Sequence, residues 1–332
     1  MKEYPEADKI AAALSGVHKV VVVQADNPDG DSLACSLALE EILGDLGKDV
    51  TMYCGVDLPL HLRYLPASTR VVKELPNNFD LSIIVDTSSD SLLEQLDKSG
   101  AKSWLAAKPS IIIDHHATAP TINFATVSCI HPAVAAGEVL YNLSRQLKWP
   151  LNERAREYLA IGILSDSLGL SSEATTGDSI RIIADLVDGG VKLAALESAR
   201  RENMRRAPEL IHYKGELLQR VEFVDNDRIA IVKIPHSEIV KYSPLYNPPM
   251  LVIDDMRLGT DVRLAIAFKV YDDGKVTAKI RCNYGYGVGD KLAEHFGGGG
   301  HPYAAGFKNT SGKDYQAIKD ETIAIASKLS SS

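Results

Sequence analysis

The apolar positions of this chain gather into short runs, and several of those runs lead into acids. His18 to Gln24 (HKVVVVQ), Leu81 to Val85 (LSIIV) and Ser110 to Ile113 (SIII) are rich in β-branched residues. Uninterrupted runs of this kind mark strands buried on both faces of a parallel sheet. Val50 to Tyr53 predicts a further strand. Helical spacing runs over Glu6 to Leu14, with Pro5 near its first turn, and over Leu33 to Leu46, with Ser32 or Asp31 as its N-cap. Ser89 to Leu96, Ala133 to Leu147, Asn152 to Ile163 and Thr176 to Val187 also read as helices, the last stopped by Gly189-Gly190. NPDGDS, starting at Asn27, is a turn. Strands alternating with helices predict an α/β fold: a doubly wound, mostly parallel sheet with helices on both faces.

The pattern changes near residue 190. Residues 191–221 read as a helical linker rich in Arg and Glu, joining domain 1–190 to a smaller α+β domain at 222–332. There, Arg228 to Ile234, Leu251 to Ile253, Val262 to Val270 and Lys275 to Arg281 have β character, and YDDGK (271–275) is a hairpin turn. A helix over Val288 to Phe296, a GGGGH loop and a helix over Lys313 to Leu329 complete it. Two domains are the natural expectation for 332 residues.

Hydrophobic residues make up 45% and charged residues 24%, the balance of an ordinary globular protein. A net charge of -8 excludes a protein that wraps long duplex nucleic acid through a basic surface. It leaves room for a short phosphorylated ligand, because bound divalent cations reverse the sign of an aspartate-lined cleft. Cys35, Cys54, Cys129 and Cys282 form no CxxC pair, so reduced, buried thiols are expected. With neither an apolar signal core nor a membrane-length run, a cytoplasmic protein is expected.

The acids carry the chemistry. Asp29 and Asp31 flank Gly30 in the turn after HKVVVVQ, Asp86 ends LSIIV, Asp114-His115-His116 ends the III run, and Asp166 ends IGILSD. Each alone also reads as a helix cap or turn former. Gathered in one cleft, such carboxylates repel unless protonated or bridged by cations. Oxygen donors with one or two imidazoles suit Mn²⁺ or Mg²⁺. Two such ions about 3.5–4 Å apart can hold a phosphoryl oxygen and activate a water for in-line attack.

NPDGD, VDT, DHH and SDS, in that order, resemble the four motifs of the DHH phosphoesterase family, and FGGGGHPYAAG (296–306) resembles the glycine-rich signature of the associated DHHA1 domain. The resemblance extends to members that degrade very short oligoribonucleotides, linear dinucleotides from cyclic messengers, or 3′-phosphoadenosine 5′-phosphate. It implies a metal-dependent phosphodiesterase or phosphatase in which Asp29, Asp31, Asp86, His115 and Asp166 bind two Mn²⁺ ions, or Mg²⁺, with Asp86 bridging. His116 would contact the scissile phosphate and Asp114 would orient its neighbours, so Asp86, Asp114 and His116 form the implied catalytic set. It also suggests a homodimer. One departure weakens the first metal site: the family's metal-binding His, four residues before the first Asp, is here Ala25. Asp26 or a water could replace it.

In the second domain, Gly298, Gly299 and Gly300 let backbone N–H groups approach a phosphate or base, and the resemblance gives His301 a substrate contact. Arg281 is either a fork for a terminal phosphate or a solvated edge-strand charge. Arg200, Arg201, Arg205 and Arg206 read as a solvated helix face paired with Glu197 and Glu202. His18, His61, His131, His212 and His236 show no ligand spacing and read as structural, and His295 reads as a surface residue. Three other readings remain open: a nucleotide-binding or sensing protein without turnover, motivated by Ala25; an inorganic pyrophosphatase; and a single-strand exonuclease.

Overall fold

Val20 to Val23 put branched side chains on both faces of β1 (Lys19–Val23), and all four are buried. A strand of this composition needs layers above and below it. In the computed structural model, which describes residues 2–117 and 119–330 without the side chains of Leu60 and His301, it has both. β1 pairs in parallel with β2 (Asp49–Tyr53) and β3 (Leu81–Val85), and β4 (Ser110–Asp114) and β5 (Val127–Ile130) extend the sheet in the order β2-β1-β3-β4-β5. One face is covered by α1 (Ala7–Leu14) and α2 (Gly30–Asp45), the other by α3 (Glu94–Lys98) and α4 (Lys102–Ala106), and α5 (Ala136–Gln146) returns to the first. α6 (Glu153–Asp166) packs on α2 and α5, and α7 (Gly177–Asp188) and α8 (Leu193–Asn203) follow. The strand order reverses between β1 and β3, and a reversal of this kind opens a crevice at the carboxyl ends of the strands.

The chain divides into two compact units, Met1–Arg205 and Arg206–Ser332. The helical stretch at 191–221 is two helices, α8 in the first unit and α9 (Pro208–Gln219) in the second. On α8, Arg200 and Arg201 pair with Glu197, and Arg205 pairs with Glu202 just beyond it. The second unit is a mixed sheet ordered β10-β11-β9-β8-β7-β6, built from β6 (Glu222–Val224), β7 (Ile229–Pro235), β8 (Leu264–Val270), β9 (Val276–Cys282), β10 (Gly299–His301) and β11 (Ala304–Asn309). α9, α10 (His236–Tyr242) and α11 (Pro249–Met256) cover one face, while α12 (Gly289–His295) and α13 (Tyr315–Ser330) cover the other.

Three expectations are corrected. Leu251 to Ile253 is part of α11, because Pro249 starts a helix and Leu251, Val252, Ile253 and Met256 are buried together; short apolar runs do not separate helix from strand. The GGGGH loop supplies a short strand, Gly299–His301, paired with β11. Helix α2 starts at Gly30 rather than Leu33, capped by Asp29.

Candidate metal centre

The cap at Asp29 decides where the next acid goes. Asp29 Oδ1 accepts from the backbone N–H groups of Asp31 and Ser32, at 3.1 and 3.0 Å, and this starts α2 early. Asp31 therefore lies inside the first turn and is fully buried. Its carboxylate in turn receives the N–H groups of Ala136 and Gly137 at the start of α5, the latter at 3.1 Å. Two helix N-termini thus hold the two acids of the NPDGD motif, a favourable setting for negative charge. Cys35, one turn along α2, adds an S–H bond to Asp31 Oδ1 at 3.4 Å.

Asp86 follows β3 with φ of 58°, a left-handed conformation that costs energy for a side chain of this kind. Asp114 is the last residue of β4. Asp166 is the last residue of α6, the helix expected to lead into the SDS motif, so it reaches the centre from a helix C-terminus. Asp31, Asp86, His115 and Asp166 each place a ligand atom within 4.8 Å of the others, and His116 joins Asp86 and His115 in an overlapping group. Asp29 belongs to neither group and is exposed, its Oδ1 committed to the helix cap.

The imidazoles are fixed differently. His115 Nδ1 donates to the Ala133 carbonyl at 3.1 Å, which leaves Nε2 as the lone-pair atom. Nε2 stands 3.3 Å from Asp86 Oδ1 and 3.5 Å from Asp166 Oδ2. Asp86 Oδ1 and His115 Nε2 are buried and find no hydrogen-bond partner among the described residues. His116 Nδ1 donates to Asp114 Oδ1 at 2.7 Å, and the His116 ring is half exposed. Asp114 Oδ1 also accepts the backbone N–H groups of His115 and His116.

The electrostatics follow from this packing. Burial, then the neighbouring carboxylates Asp31 and Asp29, raise Asp86 well above the ordinary carboxylate range and push Asp166 up to about 7. Asp31 is raised mainly by its complete burial. Asp114 moves the other way: burial pushes it up, but its bonds with His116 prevail and hold it below the ordinary value. The same bond raises His116. Carboxylate oxygens and an imidazole nitrogen converging in this way fit a hard or borderline divalent cation, which would offset their mutual repulsion.

Ala25 is buried, and Asp26 does not stand in for the absent imidazole. Its Oδ2 accepts the Gln95 N–H at the start of α3, at 2.8 Å. Gln24 is fully buried with both amide atoms unpartnered among the described residues. Sequence reasoning missed three features: the N–H pair at Ala136 and Gly137, the thiol of Cys35, and Gly162, where a Cβ would lie 2.5 Å from Asp31 Oδ1. Only the glycine carried a local signal, as a small residue inside an apolar helix.

In the second unit, Arg281 projects from β9 into a groove of about 660 Å³ floored by Gly298, Gly299 and Gly306. Lys269 and Lys279 line the same groove; burial and then the adjoining cation depress both lysines. Gly300 has φ of 143°, and a Cβ there would meet the backbone of Ala304 and Ala305. The side chain of His301 lies outside the described residues.

The first unit is thus an α/β domain whose open parallel sheet carries, near its strand ends, a cluster of acids and an imidazole that could hold a metal ion. The sequence model of the DHH family, N-terminal domain, matches residues 19–163. The bifunctional oligoribonuclease and PAP phosphatase NrnA of Thermus thermophilus is 26% identical over 306 residues, covering 90% of this chain and 86% of its own. The protein of the same name from Bacillus subtilis is 24% identical, over 84% and 85%. An exopolyphosphatase-related protein from Bacteroides fragilis has the same fold, with a TM-score of 0.84 at 18% identity and 98% of both chains covered. Among the described residues no helix is long and apolar enough to cross a membrane.

Proposed function

We propose that this protein is a divalent-metal-dependent phosphoesterase acting on short phosphorylated nucleotides, linear dinucleotides and very short RNA foremost, with 3′-phosphoadenosine 5′-phosphate as a further substrate. The observation that carries the reading is the set of unsatisfied lone pairs on Asp86 and His115 within a four-residue ligand cluster. Asp31, Asp86, His115 and Asp166 would hold the ions, with Asp29 as a further, more exposed donor. Mn²⁺ is the preferred ion, with Mg²⁺ the alternative. When bound, the ions neutralise phosphoryl oxygens and ease deprotonation of a water.

The protein's own groups do the rest. His116, oriented by Asp114 through a bond that also raises its pKa, gives a half-exposed donor for the scissile phosphate. The Ala133 carbonyl holds His115 in the tautomer whose Nε2 is free for a ligand. Residues 222–332 form the DHHA1 substrate-binding domain, in which Arg281, Lys279 and the backbone at Gly298, Gly299 and Gly300, with His301, grip a terminal phosphate or base. The relatives named as oligoribonuclease and PAP phosphatase support this substrate class.

Product release at saturating Mn²⁺ from 5′-phosphorylated diadenylate, a longer oligoadenylate, 3′-phosphoadenosine 5′-phosphate and pyrophosphate tests it. The reading predicts fastest turnover on the dinucleotide, slower on the long strand, and none on pyrophosphate. Binding of the dinucleotide without any product would replace it with a binding protein silenced at the Ala25 position.

A further inference from the structure

A second group of ligand-type side chains lies away from the centre described above. Glu6 immediately precedes α1, and Cys129 and His131 lie at the end of β5 and just past it. Their ligand atoms all fall within 4.8 Å of one another. Glu6 Oε2 and His131 Nε2 are 2.9 Å apart, and the Tyr4 ring stacks on the imidazole at 4.6 Å and 26°. Cys129 is fully buried at the floor, while Glu6 and His131 are partly open to solvent, so an ion has a way in.

We propose that Glu6, Cys129 and His131 form a zinc-binding site that ties α1 to the edge strand of the first sheet, independent of the carboxylate centre. The donor set decides the metal. A thiolate, an imidazole and one carboxylate suit Zn²⁺, whereas the oxygen-rich centre suits Mn²⁺ or Mg²⁺. A tetrahedral ion with ligands at about 2.0–2.3 Å separates its donor atoms by about 3.3–3.8 Å, inside the spread seen here. Three protein ligands leave a fourth position for water. Binding breaks the Glu6–His131 hydrogen bond: the Nε2 proton passes to solvent or, by tautomer exchange, to Nδ1, which frees the Nε2 lone pair for the ion, and the Cys129 thiol loses its proton to solvent as the S–Zn bond forms. Without an ion, burial and the charge of Glu6 push that thiol up to about 12, so the empty site keeps its proton.

Cobalt(II) titration of the full chain reads the site directly, because only a thiolate ligand gives a sulfur-to-cobalt charge-transfer band. The expected result is a band that saturates in the unmodified protein, is lost in Cys129→Ser, and moves to higher cobalt concentration in Glu6→Gln and His131→Gln. The last two positions are partly exposed, which separates loss of a ligand from loss of the fold. No band in the unmodified protein, or a band that survives Cys129→Ser and so arises from another thiol such as Cys35, would overturn the proposal.

Discussion

Asp86 combines three local costs in one residue: a left-handed backbone, near-complete burial, and a carboxylate facing other carboxylates. Such costs persist where the surrounding structure imposes them, and they concentrate at functional sites. The same crowding sets a pH dependence. Asp166 is pushed from 3.8 in the unfolded chain to about 7 in the folded metal-free protein. Its contribution to stability is therefore complete below pH 4 and is lost as the pH rises through 7. Thermal unfolding of the metal-free protein should show a Tm that falls by several degrees between pH 5 and 8. Asp166→Asn should flatten that fall and raise the Tm at pH 8 by roughly 2–5 °C, while weakening Mn²⁺ binding. An Asp166→Asn protein less stable than the parent at pH 8 would show that the acids are not in mutual repulsion.

At the scale of elements, the centre depends on how closely α6 approaches α2. Gly162 lets Asp31 sit against the α6 backbone, and a Cβ at Gly30 would strike the Ser165 side chain. Gly162→Ala should push Asp31 off its position, costing about 1–3 kcal/mol of stability by overpacking and reducing metal affinity, measured by denaturant unfolding and by Mn²⁺ titration. Much of this level was legible in the sequence. The β-branched runs of β1, β3 and β4 identified the parallel sheet, because a strand buried on both faces has no polar side to hide it. The acids that end those runs located Asp86 and Asp114 for the same reason. What stayed hidden was set by partners far along the chain. The pairing of β5 with β4, the N–H groups of α5 on Asp31, and the meeting of Glu6 with His131 all join segments remote in sequence. α11 was misread because its run is too short to show a period and its fate was settled by packing on β8.

At the scale of the whole molecule, the proposed phosphorylated substrate requires this acidic chain to concentrate positive charge locally. Lys269, Lys279 and Arg281 do this within one groove of the second unit. Burial and then the adjoining cation depress both lysines, and an anion in the groove would offset this. Arg281→Ala or Lys279→Ala should raise KM for a 5′-phosphorylated dinucleotide by about 10–100-fold, the worth of one charged hydrogen bond, with little change for a substrate lacking that phosphate. Equal losses on both substrates would assign these residues a structural role.

The central claim is that Asp31, Asp86, His115 and Asp166 together hold divalent ions needed for phosphoester hydrolysis. It is tested most directly by titrating Mn²⁺ into the protein and an Asp86→Ala variant, following bound metal and product from 5′-phosphorylated diadenylate in the same samples. Binding and turnover that rise together in the parent, and are both lost in the variant while its fold is kept, are the predicted result. Turnover that is unchanged in the variant, or that proceeds in the parent without bound metal, would contradict it.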